Sequence, residues 1–272
     1  MLICCWNMRR ARATSPAWQY LLELNPDIAL LQEVSAVPRE LQSSYEAGFR
    51  FAVGKTGRPQ RFQTGILVKG TLGEAISLGA RWAWVNQELK WFAGNLVAYH
   101  VMLRDGSRFR VMSVYSPAWP VDPARLKGID VTAVKLRHNA KVWVTELLWA
   151  ALEQDGAWTP PRWIVGGDLN SSPTFDDLWP GGPHGNREIL ERMAALGFIE
   201  CLVSANRSPM PTFRNPRGGQ IMHQMDHLFV PADLRQRLEY CTTGDESRVF
   251  GASLSDHLPI LARFGTTDCV AV

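Results

Sequence analysis

The sequence contains no long apolar run: Arg, Lys, Asp or Gly breaks every hydrophobic stretch short of the roughly 18 to 20 residues that a membrane-crossing helix needs. A membrane-spanning chain is therefore not expected. There is no Cys-x-x-Cys pair, and the five cysteines (Cys4, Cys5, Cys201, Cys241, Cys269) are odd in number and sit mostly in apolar surroundings. Reduced structural thiols are expected rather than a disulfide frame. Internal repeats, low-complexity tracts and blocks of like charge are all missing, which excludes solenoids and disordered tails. No basic leader precedes the strand-like start Met1-Leu2-Ile3-Cys4-Cys5-Trp6-Asn7, so a cytoplasmic location is expected. Lysine is scarce: 6 of the 29 basic residues, the rest being arginine, in a chain of net charge +3. An arginine excess suits bidentate phosphate contacts, though a GC-rich genome produces the same bias.

What is present is material for a large core. The 272 residues are 46% hydrophobic and 10% aromatic, enough for one globular domain spanning residues 1–272. Leu2 to Met8 reads as a buried strand, Ser15-Pro16 opens a helix (Trp18, Leu21, Leu22, Leu24) that stops at Asn25-Pro26, and Asp27 to Val34 is a second buried strand. From Phe49 to Tyr115 short Val/Ile/Phe/Trp/Tyr runs, broken by glycines and by the turn signal Arg104-Asp105-Gly106-Ser107, predict mainly antiparallel strands. A Pro-bearing loop from Ser116 to Asp130 precedes a long helical pattern over Val131 to Gln154, and Trp163 to Asn170 is a strand ending in polar residues before Ser171-Ser172-Pro173. A helix near Arg187 to Leu196, a strand near Ile199, an extended segment at 211–214, and strands at Gln224–Val230 and His257–Phe264 follow. The fold class is thus α/β (α+β), with two packed sheets covered by helices.

Carboxylates and amides gather at strand ends: Asn7, Glu33, Asp168 with Asn170, Asp226, and Asp256 with His257. Each alone is equally well a turn or cap residue. Asp168 and Asn170, two apart, face the same way in an extended backbone and can hold one water between them. Glu33 and Asp256 offer the hard oxygens that Mg²⁺ prefers. His257 supplies a proton carrier or cationic phosphate clamp whose tautomer a carboxylate such as Asp226 can fix. Together these are the parts for metal-assisted phosphoryl transfer.

The series Trp6-Asn7, Leu31-Gln32-Glu33, Gly167-Asp168-Leu169-Asn170, Met225-Asp226-His227 and Ser255-Asp256-His257-Leu258-Pro259 closely resembles the endonuclease/exonuclease/phosphatase superfamily, which includes deoxyribonuclease I and exonuclease III. The resemblance runs from Asn7 to Pro259. It implies a four-layer αββα sandwich of two mainly antiparallel sheets flanked by helices. It also implies that Glu33 binds a divalent metal, assisted by Asn7 and Asp256, with Mg²⁺ as cofactor and Mn²⁺ as substitute. Asp168 then orients or deprotonates the attacking water, Asn170 holds water and phosphate, His257 contacts the scissile phosphate and Asp226 pairs with it. Arg9 stands where exonuclease III-like enzymes carry an acid, so Asn7-Met8-Arg9 is closer to deoxyribonuclease I. Val114-Tyr115-Ser116-Pro117-Ala118 resembles the abasic-endonuclease segment without its asparagine, which makes Tyr115 a candidate phosphate contact or leaving-group acid. The Trp-Cys-Asp-Arg run of inositol 5-phosphatases is absent.

Substrate contacts are expected from Arg9 and from the loop bearing Trp119, Arg125 and Lys127. Trp18 and Trp179 are further candidates for base stacking, beside packing roles for most tryptophans. His100 reads as a structural histidine in an apolar strand; His138, His184, His223 and His227 have no motif support. The leading expectation is a metal-dependent phosphodiesterase cutting nucleic acid, most of all a DNA endonuclease. The alternatives are hydrolysis of a small phosphoester, nucleotide or lipid headgroup, and a non-catalytic nucleic-acid-binding protein.

Overall fold

In the computed structural model, which describes residues 1–155, 162–178, 185–215 and 219–265, the chain opens with a strand, a helix and a second strand: β1 (Leu2–Ala11), α1 (Ala17–Leu24) and β2 (Ile28–Val34). Trp179, His184 and Cys269 lie outside the described residues. β3 (Glu46–Val53) and β4 (Pro59–Val68) form a hairpin, followed by β5 (Gly70–Ala75), α2 (Ala83–Trp91), β6 (Leu96–Leu103) and β7 (Arg108–Tyr115). Next come α3 (Val144–Asp155), β8 (Arg162–Asp168), α4 (Pro173–Leu178), α5 (Asn186–Ala195), β9 (Phe198–Glu200) and α6 (Cys201–Asn206). The chain closes with β10 (Asp226–Pro231), β11 (Leu238–Thr243), α7 (Glu246–Val249) and β12 (Ile260–Phe264).

The strands make two six-stranded sheets, in the orders β11-β12-β1-β2-β4-β3 and β5-β6-β7-β8-β10-β9. Each contains one parallel pair, β1 with β2 and β7 with β8, and is otherwise antiparallel. Alternation along β1 explains the layering. Ile3 and Cys5 turn inward with Ile28 and Leu30 against Val111, Ile164 and Leu228 of the other sheet, while Cys4, Trp6 and Met8 face outward with Leu31 onto Trp18 and Leu21 of α1. Both faces are covered, which is why β1 and β2 read as unbroken apolar runs. The second sheet's outer face (Met112, Val114, Trp163, Val165) is closed by Val85 and Leu89 of α2 and Leu147, Leu148 and Ala151 of α3. Each fully buried aliphatic side chain here contributes roughly 1.5–3 kcal/mol. The result is the αββα sandwich expected.

Several local expectations need correction. α2 lies inside the stretch read as strands, because Trp84, Val85 and Trp91 continue the aromatic and β-branched run around it and no side chain caps its start, although Ala83, Gln87, Glu88, Leu89 and Lys90 favour a helix. Burial of Val85 and Leu89, with Glu88 bound to Arg125, holds it as a helix. The helix expected from Val131 begins only at Val144. The buried Glu146 carboxylate accepts from the backbone N–H of Trp143 at 3.0 Å and of Leu136 at 3.4 Å, giving residues 131–143 an irregular course around it. His100 is exposed, not a buried structural histidine. Cys4, Cys5, Cys201 and Cys241 are free and buried, and among the described residues no helix is long and apolar enough to cross a membrane.

Candidate active site

The site forms where strand ends of the two sheets converge. In the second sheet Tyr115, Asp168 and Asp226 are register partners, Tyr115 opposite Asp168 across the parallel pair and Asp168 opposite Asp226 across the antiparallel one. In the first sheet Asn7 is level with Gln32, one residue before Glu33. Asp256 and His257 precede β12, which pairs with β1. Gly167 has a local cause: a Cβ there would lie 1.8 Å from the Val114 carbonyl oxygen, so only glycine lets β8 approach β7 just before Asp168. Arg9, Arg10, Glu33 and Asn170 all hold positive φ (45°, 60°, 52° and 48°), a strained conformation concentrated around this cleft.

The inner part is buried and densely hydrogen-bonded, with Asp226 Oδ1 left without a partner among the described residues. Asp226, 0% exposed, accepts at Oδ2 from His257 Nδ1 (2.8 Å) and from Thr212 Oγ1 (2.7 Å). The Thr212 hydroxyl oxygen in turn accepts from the backbone N–H groups of Met225 and Asp226. His257 is oriented further by its backbone N–H donating to Ser255 Oγ, by Trp6 Nε1 donating to its carbonyl, and by the Phe213 ring 4.9 Å away. Its Nε2 lies 4.0 Å from Asp168 Oδ2, too far for a hydrogen bond and open to a third group. Asp168, 2% exposed, accepts from Asn7 Nδ2 at 3.0 Å and Asn170 Nδ2 at 3.1 Å on Oδ2, and from the Asn170 backbone N–H at 2.9 Å on Oδ1. Burial raises the proton affinity of Asp168, offset by His257 and reinforced by Asp226. For His257 burial acts in the opposite direction, but the charges of Asp226 and Asp168 outweigh it and raise its pKa well above the usual imidazole range. These groups titrate as one set.

The outer part is looser. Glu33 and Asp256 have side chains 18% exposed; among the described residues their ion-pair partners are distant, Arg10 at 3.7 Å and Arg9 at 3.5 Å, and Glu33 is also met by Asn7 and Tyr115. Burial raises the Glu33 pKa, with His257 and Arg10 pulling it down. Tyr115 is pushed far up, first by burial and then by Glu33 and Asp168, so its phenol stays protonated and serves as a hydrogen-bond donor.

The structure thus brings together Asn7, Glu33, Tyr115, Asp168, Asn170, Asp226, Asp256, His257 and Arg9. Two assignments shift in detail. Asn170 is close to Asp168 through a left-handed backbone turn, not an extended one, and its amide nitrogen is already donating to Ser116 O and Asp168. Asn7 Nδ2 donates to Asp168, the side chain also supports Glu33, and its Oδ1 accepts from Arg9 N at 3.0 Å. Trp119 and Arg125 lie apart, in a neighbouring pocket, where Arg125 makes a bidentate pair with Glu88. Trp18 is buried, its N–H donating to Arg12 O, and is removed from any surface role. His227 is a buried structural residue bonded to Gln224 and Ser171 O. Thr212 and Phe213 were missed: the extended Pro-Thr-Phe run carried no chemical signal until β10 and the 211–214 segment were seen side by side.

A divalent cation can be placed by the chemistry of the donors. Asp168, Asp226 and His257 offer ligand atoms within 4.8 Å of one another, but His257 is bonded to Asp226 and held protonated, so it presents N–H groups and not a lone pair. Glu33 and Asp256 are partly exposed carboxylates with weak partners, which fits an ion that takes one or two carboxylates and completes its shell with water and phosphate. Asn7 Oδ1 accepts from Arg9 N and keeps a second lone pair with which it can join.

Comparison with known proteins agrees with this geometry. The model of the Endonuclease/Exonuclease/phosphatase family matches residues 4–257. Among solved structures, the 3′ phosphatase NExo from Neisseria bound to product DNA hairpin is similar at 18% identity, covering 98% of this chain and 100% of that one, with a TM-score of 0.69. An AP endonuclease from Archaeoglobus fulgidus is similar at 18% identity, 98% and 100% coverage and a TM-score of 0.67. The Xenopus laevis APE2 catalytic domain follows at 20%, 99% and 95%, and 0.64. No curated protein sequence gave a match.

Proposed function

The chain belongs to the endonuclease/exonuclease/phosphatase family of phosphoester hydrolases, and we propose that it is a divalent-metal-dependent phosphodiesterase that cuts a nucleic-acid backbone, DNA first of all. One observation carries the reading: a hydrogen-bonded Asp226–His257 pair faces the buried Asp168 across 4.0 Å, with Glu33 and Asp256 at the open side. Asp168, whose proton affinity burial raises, takes a proton from water as that water's oxygen attacks phosphorus in line with the departing ester oxygen. His257, fixed at Nδ1 by Asp226, donates from Nε2 to a phosphoryl oxygen as negative charge builds there. Asn7 and Asn170 keep the Asp168 carboxylate aimed. Tyr115 offers its phenolic hydrogen to a phosphate oxygen. Glu33 and Asp256 would hold the cation, which when bound supplies positive charge against the phosphate and a template for its oxygens.

A second reading on the same chemistry has its own support. A cavity of about 310 Å³ beside Asn170, lined by Trp143, Phe175, Leu136 and Met225 with Ser171 and Asn186, is large enough for the organic group of a small phosphoester. Nicking of supercoiled plasmid in Mg²⁺ and in EDTA, run beside turnover of bis-p-nitrophenyl phosphate across a salt series, separates the two. Nicking that needs metal and weakens steeply with salt supports the nuclease. An intact plasmid with salt-insensitive turnover of the small ester overturns it in favour of the second reading.

A further inference from the structure

Of the two indole rings in the pocket next to the cleft, one is already engaged and the other is not. The pocket, of about 240 Å³, includes Lys55, Trp91, Trp119, Asp122, Arg125 and Lys141 among its lining residues. Trp91 carries the Arg125 guanidinium over its ring at 4.1 Å, and Gly57, at φ +80°, sits so close that a Cβ there would lie 2.4 Å from the ring. Arg125 is itself neutralised by the buried Glu88. Trp91 and Arg125 are therefore a braced wall. Trp119, half-buried, has no aromatic or cationic partner among the described residues. Lys55 and Lys141 are exposed and make no ion pair among the described residues, while Asp122 accepts from Ala124 N. The free charge in the pocket is thus two lysines against one carboxylate.

Both walls start at residues tied to the cleft. Ser116 donates its N–H to Asp168 O and accepts from Asn170 Nδ2, and Trp119 is three residues on, at most about 11 Å of chain away. Opposite, Val53 N donates to Asn95 Oδ1 while Asn95 Nδ2 donates to Tyr115 O, and Gly54 and Lys55 follow directly. We propose that this pocket is a subsite for a single-stranded stretch of the substrate next to the scissile phosphate, one unstacked base lying on Trp119 and flanking phosphates meeting Lys55 and Lys141. The assignment rests on the nucleic-acid reading above and gives Arg125 the part of a brace in place of a phosphate contact. A free indole face with lysines beside it is what sequence-tolerant strand binding uses.

The test is fluorescence anisotropy of labelled single-stranded oligonucleotides from 3 to about 12 nucleotides, measured in EDTA on the parent, Trp119→Ala, Trp119→Phe, Lys55→Glu/Lys141→Glu and Arg235→Glu. Arg235 is an exposed charge just past the far end of β10 and serves as control. Expected results are about tenfold weaker binding of the longer strands by Trp119→Ala, near-parental binding by Trp119→Phe, and a salt slope shallower by about 1.4 for the double-lysine variant. Arg235→Glu should match the parent. Equal affinity of Trp119→Ala and parent at every length overturns the subsite while leaving the nuclease reading intact. If the parent binds no oligonucleotide of any length, the subsite is overturned, and the nuclease reading stands or falls separately on plasmid nicking.

Discussion

The two halves of the cleft are built on opposite terms. Asp168, Asp226 and His257 are buried, and each is held by two or more hydrogen bonds with Asn7, Asn170, Thr212, Ser255, Trp6 or one another. Glu33 and Asp256 are partly exposed, with arginines at the edge of hydrogen-bond reach and, for Glu33, the side chains of Asn7 and Tyr115. The inner half is paid for at folding: like charges stand opposite each other across a strand pair, which is unfavourable without the imidazolium near both. The outer half is left unfinished, so that ligands arriving from solvent complete it. Rigid geometry serves proton transfer, and loose geometry serves exchange of ions and phosphate.

Substitutions should separate the halves, with the inner one showing the largest effect. Asp168→Asn is expected to lower kcat on plasmid by about 10³-fold or more, while calorimetry shows Tm unchanged or higher because a buried charge is gone. A lower Tm with activity lost in proportion would erase the contrast. Glu146 sharpens it as a buried carboxylate with no part in the cleft. Burial pushes its pKa up to about 7 from 4.5, so the stability it permits is complete below about pH 4.5 and is lost as pH rises through about 7. Urea unfolding should show roughly 3 kcal/mol lost over that window, and a flatter profile in Glu146→Gln; an identical slope in both would refute the assignment.

Next in size, Glu33→Gln should raise the Mg²⁺ concentration needed for half-maximal nicking about 10- to 100-fold, with activity partly recovered at high Mg²⁺ and no change of Tm in EDTA. Failure of any Mg²⁺ concentration to restore activity would place Glu33 in the inner set. Smallest is Thr212→Val, which removes the hydroxyl from Asp226 Oδ2 and leaves two backbone N–H groups without an acceptor. A loss of about tenfold in kcat with KM unchanged, and of about 1–3 kcal/mol in stability, is the expected result; a KM effect alone would show that it touches substrate instead.

The fold class was legible because both-face burial leaves long apolar strands such as Leu2–Met8 and Asp27–Val34, and polar residues at their ends stand out against them. Helix α2 was hidden because Trp84, Val85 and Trp91 extend the aromatic run on either side and its start carries no capping side chain, so its helix formers Ala83, Gln87, Glu88, Leu89 and Lys90 did not stand out. The false start of α3 has another cause: Val134, read as the first residue of the helix's apolar stripe, is buried instead in an irregular segment tied to Glu146. In the cleft, residues whose chemistry is carried by their own side chain could be picked out one by one. Thr212 and Phe213 could not, since a hydroxyl or a ring acts there only through what lies beside it in space. Asn7 and Asn170 were found as amides, but which atom each presents depends on Arg9 N and Ser116 O, which no spacing rule supplies.

The contacts that finish the cleft join the two ends of the chain: Trp6 Nε1 to His257 O, and Ser255 Oγ to Asn7 O, separated by 251 and 248 residues. Loops of that length close late and slowly. During refolding, recovered hydrolysis should therefore lag behind the return of helical and strand circular dichroism, which makes catalysis the most stringent reporter that β12 has docked beside β1. A chain stalled one step short would look almost native to spectroscopy and be inert.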